Sequence, residues 1–167
     1  MSFNCRTSQL LHEDHQATVG VIEDLDQMIT RARRSMPDIS DPAVKATLTK
    51  AAASISDEVS RHFAFEEDEL FTLLEEMGDA QIGAHLREEH AILLPLGNQV
   101  ASLAQTALKD GFSENAWKEF CAKAVELIER MVTHIQKEEM ALLPMLEECL
   151  DPEADLALST AYNDSHQ

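Results

Sequence analysis

The sequence predicts an all-α protein, an antiparallel up-down-up-down four-helix bundle with an internal two-fold pseudo-repeat. Three observations carry this. Aromatic residues make up 5% of the 167 residues, and there are only 5 glycines and 5 prolines, which suits helices better than a sheet rich in β-branched and aromatic side chains. Four long segments carry apolar seams in alternating steps of three and four residues, the spacing of a bundle core. Two of those segments also repeat each other.

The first helix is expected from about Ser8 to Ser35, broken by the stretch from Met36 to Pro42. Asp41 before Pro42 reads as a capping side chain followed by proline at the first helical position, and so starts the second helix. That helix runs to about Met77, where Gly78 stops it and Asp79 is the expected cap of the third. The third runs to about Lys109. After the turn at Gly111, Ser113 caps a fourth helix that ends near Leu150. The chain thus divides into a bundle over residues 8–150 and a tail over residues 151–167, expected to fray.

The seams have polar intrusions. Helix one reads Leu11, His15, Thr18, Ile22, Leu25. Helix two reads Ile55, Val59, His62, Glu66, Leu70, Leu73, Met77. Helix three reads Leu86, His90, Leu93, Gly97, Val100. Helix four reads Leu127, Met131, His134, Glu138, Leu142, Met145. The stretch from His62 to Glu76 aligns without gaps on that from His134 to Glu148. The segment from His12 to His15 resembles that from Arg87 to His90. Each half is therefore a helix pair with a histidine on its first member and HxxxE on its second.

Antiparallel helices bring together residues equally far from the connecting turn. His15 and His62 flank the first turn almost symmetrically, Glu66 and His90 flank Gly78, and His90 and His134 flank Gly111. All six residues fall at one level of the bundle, within about one helical turn. No Lys or Arg lies on the seams near that level, so the buried glutamates need another cation. Metal ions neutralise them and satisfy the imidazole nitrogens together. The candidate ligands are His15, His62, Glu66, His90, His134 and Glu138. They are too many for one tetrahedral zinc; two ions sharing carboxylates suit iron best and manganese second. No glutamate stands three residues before any of the four histidines, so the Glu-x-x-His pattern of ferritin-like sites is absent.

Charge and composition narrow the partners. A net charge of −18 repels phosphate backbones and anionic membranes, which argues against nucleic acid or membrane partners. The three cysteines, Cys5, Cys121 and Cys149, are far apart and form no disulfide framework. No apolar run suggests a signal peptide or a membrane span, so the cytoplasm is the expected compartment.

With these residues in place, the sequence resembles the hemerythrin-like family of HHE cation-binding domains over roughly residues 8–150. The resemblance implies a non-haem di-iron centre, with His15, His62, His90 and His134 as terminal ligands. It implies Glu66 and Glu138 as bridges, with an oxo or hydroxo group (Fe–O–Fe) between the irons. It also implies a protein that binds dioxygen or nitric oxide for sensing, storage or scavenging, more a binder than an enzyme. The alternatives are a di-iron redox enzyme (peroxidase or oxidase), an iron donor in iron–sulfur centre repair, or an iron-buffering protein. Oxygen-carrying members have a second histidine on the third helix, one turn before the first; here that position is Leu86. His12 lies about 60° from His15 around the helix and His85 about 140° from His90, so both stay open as further ligands. With neither bound, both irons keep an open position, which favours nitric oxide binding or redox chemistry over reversible oxygen carriage.

Overall fold

The computed structural model describes residues 2–32 and 35–167. Those residues form five helices and no strand. Helix α1 (Arg6–Arg31) begins before the expected Ser8. Its first N–H groups have no cap from their own segment; carboxylates from the far end of the chain accept from them instead. Glu147 takes the N–H of Asn4 and of Cys5 at 2.8 and 2.9 Å, and Asp155 takes those of Arg6 and Thr7 at 2.8 Å. The helix stops at Arg31 rather than near Ser35; of the expected last turn, Arg33 and Arg34 lie outside the described residues.

Helix α2 (residues 42–76) starts as expected, with Asp41 accepting from the Ala43 N–H at 2.9 Å and Pro42 in the first turn. Gly78, at φ 94, ends it. Only a residue without Cβ takes this conformation at little cost. The Gly78 and Asp79 N–H groups close the helix end on the carbonyls of Glu75 and Leu74. Helix α3 (Gln81–Asp110) takes Ala80, not Asp79, as its cap residue. Helix α4 (residues 114–149) is capped by Ser113, which accepts from the Ala116 N–H at 3.1 Å.

The segment expected to fray is helix α5 (Pro152–Ser165), packed on α1. Asp151 accepts from the Ala154 N–H at 2.8 Å with Pro152 in the first turn, the same Asp-Pro start that opens α2. Leu158, Ser159 and Tyr162 are buried against the rest of the molecule.

Helices α2 and α4 are not uniformly α-helical. Three π turns interrupt them, at Glu58–His62, Glu66–Leu70 and Glu138–Leu142. In each, the N–H that follows bonds to the carbonyl five residues back: Phe63 to Glu58, Phe71 to Glu66 and Leu143 to Glu138. Each wide turn takes up about one extra residue, and this corrects the seams. Beyond Glu66 the core residues are Leu70, Phe71 and Leu74, while Leu73 is half-buried and Met77 is exposed. Beyond Glu138 they are Leu142, Leu143 and Leu146, with Met145 only half-buried. In α4 the π turn precedes Pro144, whose missing N–H and ring would conflict with an ordinary turn.

The apolar interior is in two parts. One contains Leu25, Leu48, Ile55, Val100, Phe120, Leu127 and their neighbours; the other contains Leu11, Leu70, Phe71, Leu86, Leu142 and Leu146. Along every one of the first four helices, the predicted histidine lies between residues of the first part and residues of the second. Gly97 lets α3 approach α2 closely, since a Cβ there would lie 2.6 Å from the Val59 side chain. Among the described residues no helix is long and apolar enough to cross a membrane.

Candidate metal centre

The six predicted residues meet in the layer between the two apolar parts. His15, His62, Glu66, His90, His134 and Glu138 are each at most 2% exposed. They form two overlapping groups that could each hold a metal ion. One is His15, His62, Glu66 and Glu138; the other is Glu66, His90, His134 and Glu138. The π turns deliver three of them: His62 closes the first, Glu66 opens the second and Glu138 opens the third.

Each glutamate has one oxygen in each group. Glu66 Oε1 lies 3.0 Å from His62 Nε2, and its Oε2 lies 3.2 Å from His90 Nε2. Glu138 Oε2 lies 2.8 Å from His15 Nε2, and its Oε1 lies 2.9 Å from His134 Nε2. Proximity here is not hydrogen bonding. His15 Nε2, His62 Nε2, both oxygens of Glu66 and Glu138 Oε1 are buried and make no hydrogen bond. Orphaned polar atoms of this kind are costly, and cations lying among them would satisfy them together.

The opposite ring nitrogens are fully engaged. His15 Nδ1 donates to Glu139 at 2.6 Å, His62 Nδ1 to Asp14 at 3.2 Å, His90 Nδ1 to Glu67 at 2.9 Å and His134 Nδ1 to Glu89 at 2.8 Å. A carboxylate only accepts, so each Nδ1 carries a proton and each Nε2 is turned inward, with His90 Nε2 and His134 Nε2 lying 3.1 Å apart. This is the carboxylate–histidine arrangement that orients metal ligands and raises their basicity. Over residues 6–146 the sequence matches the model of the hemerythrin HHE cation-binding domain.

The chain belongs to the hemerythrin HHE cation-binding family. No curated protein matches it. In this HHE domain the histidines outside the two groups take other places. His12 shares Glu139 with His15, through a 2.8 Å contact from its Nδ1. His85 is an exposed side chain beside Lys137 and Glu89. Neither belongs to a ligand group. Leu86 is buried in the apolar part next to the layer. Of the phenylalanines flanking His62 and Glu66 on α2, Phe63 stacks on His90 at 3.8 Å and Phe71 lies 5.7 Å from the same ring, whereas Phe65 faces Tyr162.

The metal-free electrostatics show how far the layer depends on opposite charge. Burial alone would lower the His15 pKa; Glu138 and Glu139 outweigh it and carry it up to about 10. Burial likewise opposes the charge on His134, but Glu138, Glu66 and Glu89 raise it to about 9. Glu138 would be pushed up by burial, yet His134 and His15 hold it well below the usual carboxylate range.

Two features of the layer are absent from the predicted ligand set. The first is the ring of outer carboxylates, which has a signal in the repeat: an acid directly before His15 and His90, and another directly after Glu66 and Glu138. The second is Glu58, 5% exposed, with Oε1 3.8 Å from His62 Nε2. It stands four residues before His62, as Glu66 stands four after, so the i, i+4, i+8 spacing placed all three on one helix face.

Proposed function

We propose that this HHE domain holds a pair of iron ions and binds dioxygen or nitric oxide as a sensor, store or scavenger in the cytoplasm. The first four helices run up, down, up, down; the alternating order in which they traverse the two apolar parts supports that topology. One observation carries the metal reading. Glu66 and Glu138 each place one oxygen with either histidine pair, the arrangement of two carboxylates bridging two ions. Mixed imidazole and carboxylate donors with shared oxygens suit iron ahead of manganese or zinc.

Bound iron would supply a redox-active Lewis acid able to take a small diatomic ligand. The residues of this chain prepare that chemistry. Asp14, Glu67, Glu89 and Glu139 fix the imidazoles with Nε2 inward. Phe63 and Phe71 cover His90 and keep water from that side. Each pocket offers two histidines and two carboxylate oxygens, with Leu86 where a further ligand would stand. That leaves room for an exogenous ligand and supports a second reading, a di-iron redox enzyme acting on peroxide.

Anaerobic iron loading followed by visible spectroscopy separates the two. A discrete adduct with nitric oxide or dioxygen is expected. Sustained peroxide turnover without an adduct would favour the enzyme, and an iron-loaded chain that responds to none of the three would contradict both.

A further inference from the structure

The two halves of the layer are not chemically equal. The repeat that pairs His62 with His134 and Glu66 with Glu138 pairs Glu58 with Arg130. Arg130 points outward, its side chain 46% exposed and bonded to Glu126 at 3.0 Å. Glu58 is buried. The backbone accounts for the difference: a π turn spans Glu58–His62, while the equivalent stretch of α4 is ordinary α-helix. The pairing of His15 with His90 likewise sets Thr18 against Leu93, both buried. Thr18 Oγ1 donates to Glu58 Oε2 at 3.1 Å, which leaves Oε1 as the oxygen nearer His62 Nε2. No Lys or Arg forms an ion pair with Glu58 among the described residues; its one such contact is His62. A buried carboxyl with one neutral donor and no basic partner is costly unless a cation answers it.

We propose that Glu58 is a third carboxylate ligand, serving the ion held by His15 and His62 alone. This rests on the di-iron reading. The Thr18 hydrogen bond orients the carboxylate beside His62; Glu58 stands outside the two four-residue groups, and its binding requires Oε1 to move past His62 Nε2 to the ion. The ion at His15 and His62 is then closed to outside ligands. The ion at His90 and His134 has no carboxylate at the equivalent positions, where Leu93 is buried and Arg130 turns outward, and keeps its open place. Exogenous ligands bind at one end of the pair only.

The test uses the full chain loaded with ⁵⁷Fe, the variants Glu58→Gln and Glu58→Ala, and azide as probe. The wild type is expected to show two Mössbauer doublets of equal area and to bind about one azide per chain at its one open position. Both variants should shift one doublet and leave the other in place, and Glu58→Ala should raise the azide count to about two as a second position opens. A single doublet from two equivalent irons in the wild type would overturn the assignment, and the wild-type spectrum decides even where a variant fails to fold. Doublets and azide count unchanged in folded variants would also overturn it, with the iron pair intact. A wild-type chain that takes up no iron pair would instead overturn the reading beneath it.

Discussion

The helix pair α1–α2 and the pair α3–α4 carry the same candidate ligands at the same height but support them differently. Asp14, which holds His62, is bonded by the Tyr162 hydroxyl from α5. Its counterpart Glu89, which holds His134, is bonded by Lys137 from α4 itself. The carboxylate behind His62 thus draws support from a helix outside the repeat, while the one behind His134 is supported within its own pair; His15 and His90 are each held from the opposite half, by Glu139 and Glu67. The first half also buries Glu58 and Thr18 where the second has Arg130 and Leu93. A duplicated frame can therefore keep its inward residues fixed while the groups behind them differ.

The largest expected effect tests what the halves share. Because each glutamate spans both pockets, Glu138→Ala should lower iron content from about two per chain to below about one, since an uncompensated ligand set binds poorly. His15→Ala and His134→Ala should each deplete mainly one ion. Elemental analysis of the purified variants checks this, and equal losses from all three would break the comparison between bridge and terminal ligand.

A second effect appears in the metal-free protein. His15 and His134 have folded pKa values of about 10 and about 9, above the ordinary 6.5. A group raised in this way contributes its stability fully below the ordinary value and loses it as pH rises through the folded one. Thermal melts of chelated protein should therefore fall in midpoint between about pH 6.5 and above 10, His134 discharging before His15. The depressed Glu138 loses its contribution only at acid pH. A midpoint that rises across the alkaline window would contradict the assigned charges.

The smallest effect separates the supports. Asp14→Asn and Glu89→Gln should each weaken metal binding by about 10–100-fold, the usual cost of losing a carboxylate behind a histidine ligand. Tyr162→Phe removes one hydrogen bond to Asp14 and should cost about 1 kcal/mol, read as a few-fold loss confined to the first pocket. A competition titration against a chelator measures all three. A Tyr162→Phe loss as large as that of Asp14→Asn would make α5 part of the site.

Much of this was legible in the sequence, for physical reasons that differ by element. The six inward residues could be read because turn distances alone set their height. Asp41-Pro42 and Ser113 could be read because capping is local. The same Asp-Pro signal stands at Asp151-Pro152, yet α5 went unread: its apolar residues are sparse, and it is held by docking Leu158 and Tyr162 on the bundle. The seams slipped by one residue after Glu66 and Glu138 because a uniform 3.6-residue period contains no π turn. Glu58 carried a signal in its spacing from His62, but its burial depends on the widened turn beside it.

Glu66 and Glu138 are proposed to bridge two iron ions. Crystals of the iron-loaded protein, measured on either side of the iron absorption edge, test it most directly. Two anomalous peaks, each contacted by one oxygen of both glutamates, are the predicted result. A lone peak, or a zinc ion on one histidine pair with the other pair bare, would contradict it.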